Sequence, residues 1–210
     1  MVPITDITSY IATEIPDAMT LLIEREILQA ARKFFERTKI WKETQESQST
    51  VAAQADYDIF MPDDTEVVTW DYVMYDGYDL DPVTEYELTS EQSLWRDLTG
   101  TPTSYVTNIR TKSMRLYPTP NAVGTIKYEL TLKPSVSATS LPDFAIEQFQ
   151  DIIVDGTLAR MYGQAGRTWY SPDESAKRMR MFNNGIYEAK DKMIRGTSTT
   201  SQEIATTTLA

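Results

Sequence analysis

Histidine and cysteine are both absent from the 210-residue sequence. Their absence excludes a Ser-His-Asp or Cys-His nucleophile and leaves no ordinary zinc, haem or iron–sulfur site. Disulfides are impossible, so cysteine usage is silent about redox compartment. No window approaches ~18 consecutive apolar residues, the length a membrane-crossing helix needs. No basic region is followed by an apolar run of ~7–15 residues near the N-terminus, so no signal peptide is expected. The expectation is a soluble chain with no cofactor and no metal. What is present is ordinary, with 41% hydrophobic and 24% charged residues, close to average globular usage. At ~150 residues per domain the length predicts one domain, or one with an insertion. That is enough chain to bury roughly 70% of its unfolded surface.

The net charge of −11 is unevenly distributed. Residues 1–100 hold 21 acidic and 7 basic side chains, whereas residues 101–210 hold 10 acidic and 13 basic. The stretch 56–97 has 13 acids against the single base Arg96. Such a field repels nucleic-acid phosphates rather than gathering them. It is either a solvated face that aids solubility or a surface that must sit near DNA without sticking to it.

Periodicity divides the chain into three regions. Asp6 precedes a short helix that stops near Pro16. Asp17 can cap a second helix, through about Thr38, with Leu21, Ile27, Leu28, Ala31, Phe34 and Phe35 at helical spacing. The middle changes to short strands. Gln45 to Ala55 is a linker or solvated edge strand, and Asp56 to Phe60 is a strand ending in the turn cluster Met61-Pro62-Asp63-Asp64. Glu66 to Tyr75 and Tyr78 to Val83 flank Asp76-Gly77, a strong hairpin dipeptide. Leu88 to Leu98 reads as a short helix or irregular crossing with Leu94, Trp95 and Leu98 as packing residues. Ser104 to Thr107, Ser113 to Tyr117 and Thr125 to Lys133 are three more strands, a spacing that argues an antiparallel sandwich or small barrel. Leu141-Pro142-Asp143 opens a helix through about Tyr162, broken by Gly163-Gln164-Ala165-Gly166. Ser171-Pro172-Asp173-Glu174, a capping box with Pro at the first helical position, starts the last helix. That helix ends near Arg195-Gly196.

The predicted fold is α+β: a bundle of N- and C-terminal helices with an inserted antiparallel β-sandwich or barrel-like domain. Its predicted boundaries are 1–43 and 139–196 for the helices, 44–138 for the insertion and 197–210 for a Thr- and Ser-rich flexible tail.

Candidate chemistry is sparse. Asp71, Asp76, Asp79 and Asp81 are the densest carboxylates, but three of them lie in or beside a turn, where exposure does not raise a carboxyl pKa as glycoside hydrolysis requires. The EF-hand pattern fails around Gly77, where Tyr72 and Met74 stand at ligand positions. A looser calcium site through Asp76, Asp79 and Asp81 stays open. Gly163 to Arg167 lacks the Gly-Lys-Ser/Thr ending of a phosphate loop. Lys177, Arg178 and Arg180 form a basic cluster that could meet nucleic acid or an acidic partner, or simply be a solvated helix face. Tyr72, Tyr75, Tyr78 and Tyr86 concentrate in the acidic stretch, either as interface rings or as sheet core. These residues speak for assembly rather than reaction, and no enzyme is expected.

The order of motifs resembles the head-to-tail adaptor (connector) proteins of tailed bacteriophages. The fragments are the helix from Ile27-Leu28-Gln29-Ala30-Ala31-Arg32 to Thr38, with Trp41 after it, then Tyr75-Asp76-Gly77 and Leu80 to Val83. They continue with Trp95 before Gly100-Thr101-Pro102, then Met114-Arg115-Leu116-Tyr117-Pro118 and Gly124-Thr125-Ile126. Leu141-Pro142 and a helix with Ile153, Ala159 and Arg160 close the match, which spans about residues 4–195.

The resemblance implies a structural virion protein of the neck, assembled in the host cytoplasm. It implies a ring of about twelve copies between the portal protein and a tail or nozzle protein. Double-stranded DNA would pass its lumen without sequence-specific binding, and no membrane would be involved. Some of Asp71, Asp76, Asp79 and Asp81 would then face the channel or the tail; Ile204 and Leu209 would either anchor the terminal segment on a neighbouring ring or belong to an idle solubilising tail. Alternatives are a second-ring neck or tail-completion protein, and a glycan-binding module that stacks sugars on Tyr78 or Tyr86.

Overall fold

The computed structural model describes residues 1–108 and 112–195. In chain order the elements begin with β1 (Val2–Pro3), a 3₁₀ turn (Ile4–Ile7), α1 (Thr8–Ala12), α2 (Thr20–Thr38), β2 (Lys42–Ser49), β3 (Asp56–Asp58) and β4 (Thr65–Tyr75). β5 (Tyr78–Asp79), β6 (Asp81–Pro82), α3 (Glu85–Glu91), a 3₁₀ turn (Trp95–Asp97), β7 (Thr99–Gly100), β8 (Ser104–Asn108), β9 (Ser113–Tyr117) and β10 (Thr119–Pro120) follow. The chain closes with β11 (Thr125–Pro134), β12 (Ser140–Leu141), α4 (Asp143–Tyr162) and α5 (Pro172–Arg195).

Two four-stranded sheets carry most of the strands, in the orders β2-β11-β4-β5 and β3-β9-β8-β6, and none of the described sheets closes into a barrel. The fold is α+β with mostly antiparallel pairing. Two short pairings, β6 with β8 and β7 with β10, are parallel. The first sheet alternates as a half-buried sheet must. On β11, Ile126, Tyr128, Leu130 and Leu132 are buried, while Thr125, Lys127, Glu129 and Lys133 lie on the other face. The inner face meets the second sheet through Trp70, whose ring lies 5.8 Å from Tyr105 and, within its own sheet, 5.7 Å from Tyr128.

The Asp76-Gly77 dipeptide behaves as its chemistry dictates. Both residues have positive φ, 46° and 84°, the geometry that matches the twist of a two-residue hairpin. The return strand is shorter than the expected Tyr78 to Val83. Only Tyr78–Asp79 pairs with β4, after which Leu80 is buried and Asp81–Pro82 joins the second sheet. One chain segment therefore stitches the two sheets together.

Helix α2 buries Ile23, Ile27, Ala30, Ala31, Phe34 and Phe35 against α4 and β11. Helices α4 and α5 approach closely because each places a glycine opposite the other's bulk. A Cβ on Gly156 would lie 2.7 Å from the Phe182 ring, and one on Gly185 would lie 2.7 Å from Ile152. One contiguous buried cluster runs from Ile7 and Phe34 through Leu130 and Met114 to Ile186. A second, smaller cluster of Leu88, Trp95 and Val106 covers the outer face of the second sheet.

Two expected caps are absent. Asp6 lies inside the 3₁₀ turn. Asp17 sits three residues before α2, whose cap position is Met19, with no side-chain hydrogen bond. The loop 13–19 packs through buried Ile15, and that anchor sets where the helix starts. The short helix expected within Leu88 to Leu98 starts earlier, at Glu85, and Leu94 is exposed rather than packed. Thr84 caps α3, its hydroxyl accepting from the Glu87 N–H at 3.2 Å while the Glu87 carboxylate accepts from the Thr84 N–H at 2.8 Å.

Candidate interaction surfaces

The four carboxylates singled out from sequence are placed in different settings. Asp71 is the extra residue of a β-bulge in β4, opposite the Glu129–Leu130 step of β11. Bulges re-aim a side chain, and here the carboxylate accepts from Lys42 Nζ at 3.0 Å and Thr131 Oγ1 at 2.7 Å. Glu129 also takes Lys42 Nζ, at 2.7 Å. The hydrogen bond to Glu129, opposed by slight burial and reinforced by Asp71, holds the Lys42 ammonium above its ordinary pKa. Asp76 Oδ1 accepts from the Thr125 N–H at 2.7 Å and ties the hairpin tip to β11.

Asp79 and Asp81 are different. Both are exposed, and neither makes an ion pair among the described residues. Tyr78, next to Asp79, and Tyr86, on α3, are 77% and 82% exposed, the two most exposed aromatic side chains described. Tyr75, by contrast, is buried core. Among the described residues no group of three or more acidic side chains could hold a metal ion. The looser calcium site through Asp76, Asp79 and Asp81 therefore falls: Asp76 is held by β11, and Asp81 has crossed to the second sheet.

The basic cluster on α5 also separates. Arg178 Nη2 donates to both oxygens of Glu14, at 2.6 and 2.8 Å, and Nη1 to Asp155 Oδ1 at 2.7 Å. Burial would lower its pKa, but Asp155 and Glu14 hold it above the ordinary value. Arg178 thus pins the N-terminal turn and α4 to α5. Lys177 pairs one turn back with Glu174 at 3.3 Å. Arg180 is exposed and makes no ion pair among the described residues. Ile204 and Leu209 lie outside the described residues.

Sequence reasoning missed how many charges the helical layer engages. Glu26 is almost fully buried on α2 and accepts from Arg160 Nε at 2.7 Å and Arg25 Nη2 at 2.9 Å. Arg32 joins α2 to the sheets through Glu66, at 3.0 and 3.2 Å, and the Pro134 carbonyl. No local signal exposes the Arg160–Glu26 and Arg32–Glu66 links, because each joins residues far apart in sequence. The capping box of α3 did carry one, in the Thr-x-x-Glu spacing of Thr84 and Glu87.

A groove of ≈ 890 Å³ lies beside Met19, Leu21, Val136 and Trp169. No described helix is long and apolar enough to cross a membrane. The chain presents surfaces: a free acidic corner beside Tyr78, a salt-bridged outer sheet face and an apolar groove.

No curated protein matches the chain. The SU10 adaptor protein family matches it over residues 3–205, nearly from end to end. The chain therefore belongs to the SU10 adaptor protein family, a family of structural head-to-tail adaptors of bacteriophages.

Proposed function

We propose that this adaptor forms a ring of about twelve copies between the portal and the tail or nozzle, encircling the channel through which DNA leaves the capsid. The observation that carries this reading is the family match across residues 3–205. In this reading helices from 1–43 and 139–196 form the bundle body and 44–138 is an inserted sheet module. Residues 197–210, with Ile204 and Leu209, reach a neighbouring ring.

The charge distribution supports the channel role. Thirteen acids against one base over residues 56–97, repeated around a ring, make a field that repels phosphates and lets DNA slide. Within that stretch Asp71 and Asp76 are committed to Lys42 and to the Thr125 amide, so the field rests on the other acids.

The test is the copy number of this chain in purified particles, by quantitative mass spectrometry against the portal protein. A ratio near one to one is expected. Absence from particles, or a copy number in the hundreds, rejects the ring and returns attention to a glycan-binding role for Tyr78 and Tyr86.

A further inference from the structure

A cleft of ≈ 420 Å³ opens between α2, α4 and α5. Ala30, Gly156 and Phe182 supply apolar lining, and four basic residues surround it against the single acid Glu36. Two of the four are engaged: Arg32 by Glu66 and Arg160 by Glu26. The other two make no ion pair beyond the cleft's own Glu36 among the described residues. Lys33 is 54% exposed and reaches Glu36 only at 3.5 Å. Arg37 donates to a neutral acceptor, Asn183 Oδ1, and makes no ion pair among the described residues.

The complementary surface is on the same chain. Asp79 and Asp81 are exposed without an ion pair among the described residues, and Tyr78 next to Asp79 stands out into solvent, as does Tyr86 on α3. Carboxylates beside an exposed ring match a cleft that offers cations around an apolar lining, since tyrosine buries area at an interface while its hydroxyl stays solvated.

We propose that the α2–α4–α5 cleft receives the Asp79–Asp81 corner of a neighbouring copy of this chain. Two different patches of identical subunits then meet head to tail, the kind of contact that generates a ring when its rotation closes. The inference rests on the ring reading above and assigns its subunit contact. DNA phosphates are the competing occupant of a basic cleft. The chain's net charge of −11 opposes that approach, and the apolar lining suits an aromatic ring better than a phosphate.

The experiment is a charge-reversal cycle read as copies per particle. Lys33→Glu with Arg37→Glu should lower incorporation by ~tenfold or more, because like charges then face each other across the contact. Adding Asp79→Lys and Asp81→Lys to the same chain should restore it. Circular dichroism and the melting midpoint of the purified variants check folding. Should the double change lower that midpoint, Lys33→Glu alone, at an exposed position, carries the same test. A photo-cross-linker at position 33 should capture residues 78–86 of another copy.

Wild-type incorporation of the reversed chain, no restoration by the second pair, or a cross-link to DNA or another protein each overturns the proposal while leaving the ring intact. Absence of the unaltered chain from particles removes the adaptor reading itself, and this inference with it.

Discussion

In the helical layer three carboxylates, Glu26, Asp155 and Glu14, hold the body together. Glu26 is buried between Arg160 and Arg25, and Asp155 and Glu14 clamp Arg178. Across residues 78–82 the carboxylates of Asp79 and Asp81 stand in solvent beside the exposed ring of Tyr78. The same functional group therefore fastens one region to itself and leaves the other facing outward. A buried charge must be paired to be tolerated, so the ions of the helical layer report on architecture. An exposed charge needs no partner, so a free acidic corner is available for contact. The adaptor thus separates a body that must stay rigid from a surface that another molecule can read.

The sharpest way to break this comparison is to remove core from each region. Phe34 and Trp95 are both essentially inaccessible, and Phe34→Ala and Trp95→Ala each delete a large buried ring, a change worth ~3–5 kcal/mol. Phe34 belongs to the contiguous core and Trp95 to the small cluster with Leu88 and Val106. Phe34→Ala should shift the urea midpoint of the whole chain. Trp95→Ala should act first on the segment 84–98, seen as faster amide exchange there. Equal, chain-wide destabilisation by both would show that the two clusters unfold as one.

Next in size is the contrast between engaged and free charges. Arg160→Ala leaves the Glu26 carboxylate buried with one arginine fewer. Because the Arg160 side chain is itself 42% exposed, the expected loss is about 1–3 kcal/mol, below that of a fully buried pair. Asp79→Asn should stay within about 0.5 kcal/mol of the unaltered chain. Chemical denaturation of both variants measures the difference, and equal losses would erase the distinction drawn here.

The smallest effect is on acid stability. The Arg32 hydrogen bond, against partial burial, holds the Glu66 carboxyl below its ordinary value of 4.5. A carboxylate lowered in the folded state contributes stability that is fully present above 4.5 and is lost as pH falls through the folded value. Glu66→Gln should therefore flatten the decline of stability below pH 4.5 and leave its slope near neutrality unchanged. An unaltered acid limb would remove Glu66 from the account.

Much of the element content was legible in residues alone. The runs in α2, α4 and α5 repeat at helical spacing, and Leu141-Pro142-Asp143 and Gly163 mark where α4 starts and stops, because these signals are local. The hairpin at Asp76-Gly77 was legible for the same reason, since few dipeptides accept two successive positive φ values. The caps expected at Asp6 and Asp17 were not realised. A capping side chain competes with whatever packing fixes the chain around it, and there Ile7, Ile11 and Ile15 are all buried. The basic cluster on α5 was misleading because sequence adjacency on a helix does not say which neighbour turns inward.

By itself the sequence determined that this protein has no histidine or cysteine chemistry, that helices flank a strand-rich acidic stretch, and that a tight hairpin lies in its middle. These follow from composition and from interactions within a few residues. Only the tertiary structure decided which charges are free. Arg178 meets Glu14 across 164 positions of sequence, and Arg160 meets Glu26 across 134. Asp79 pairs in the first sheet and Asp81 in the second, because the chain changes sheets at buried Leu80. Ion pairs and sheet crossings depend on where packing brings distant segments, and packing is a property of the whole chain.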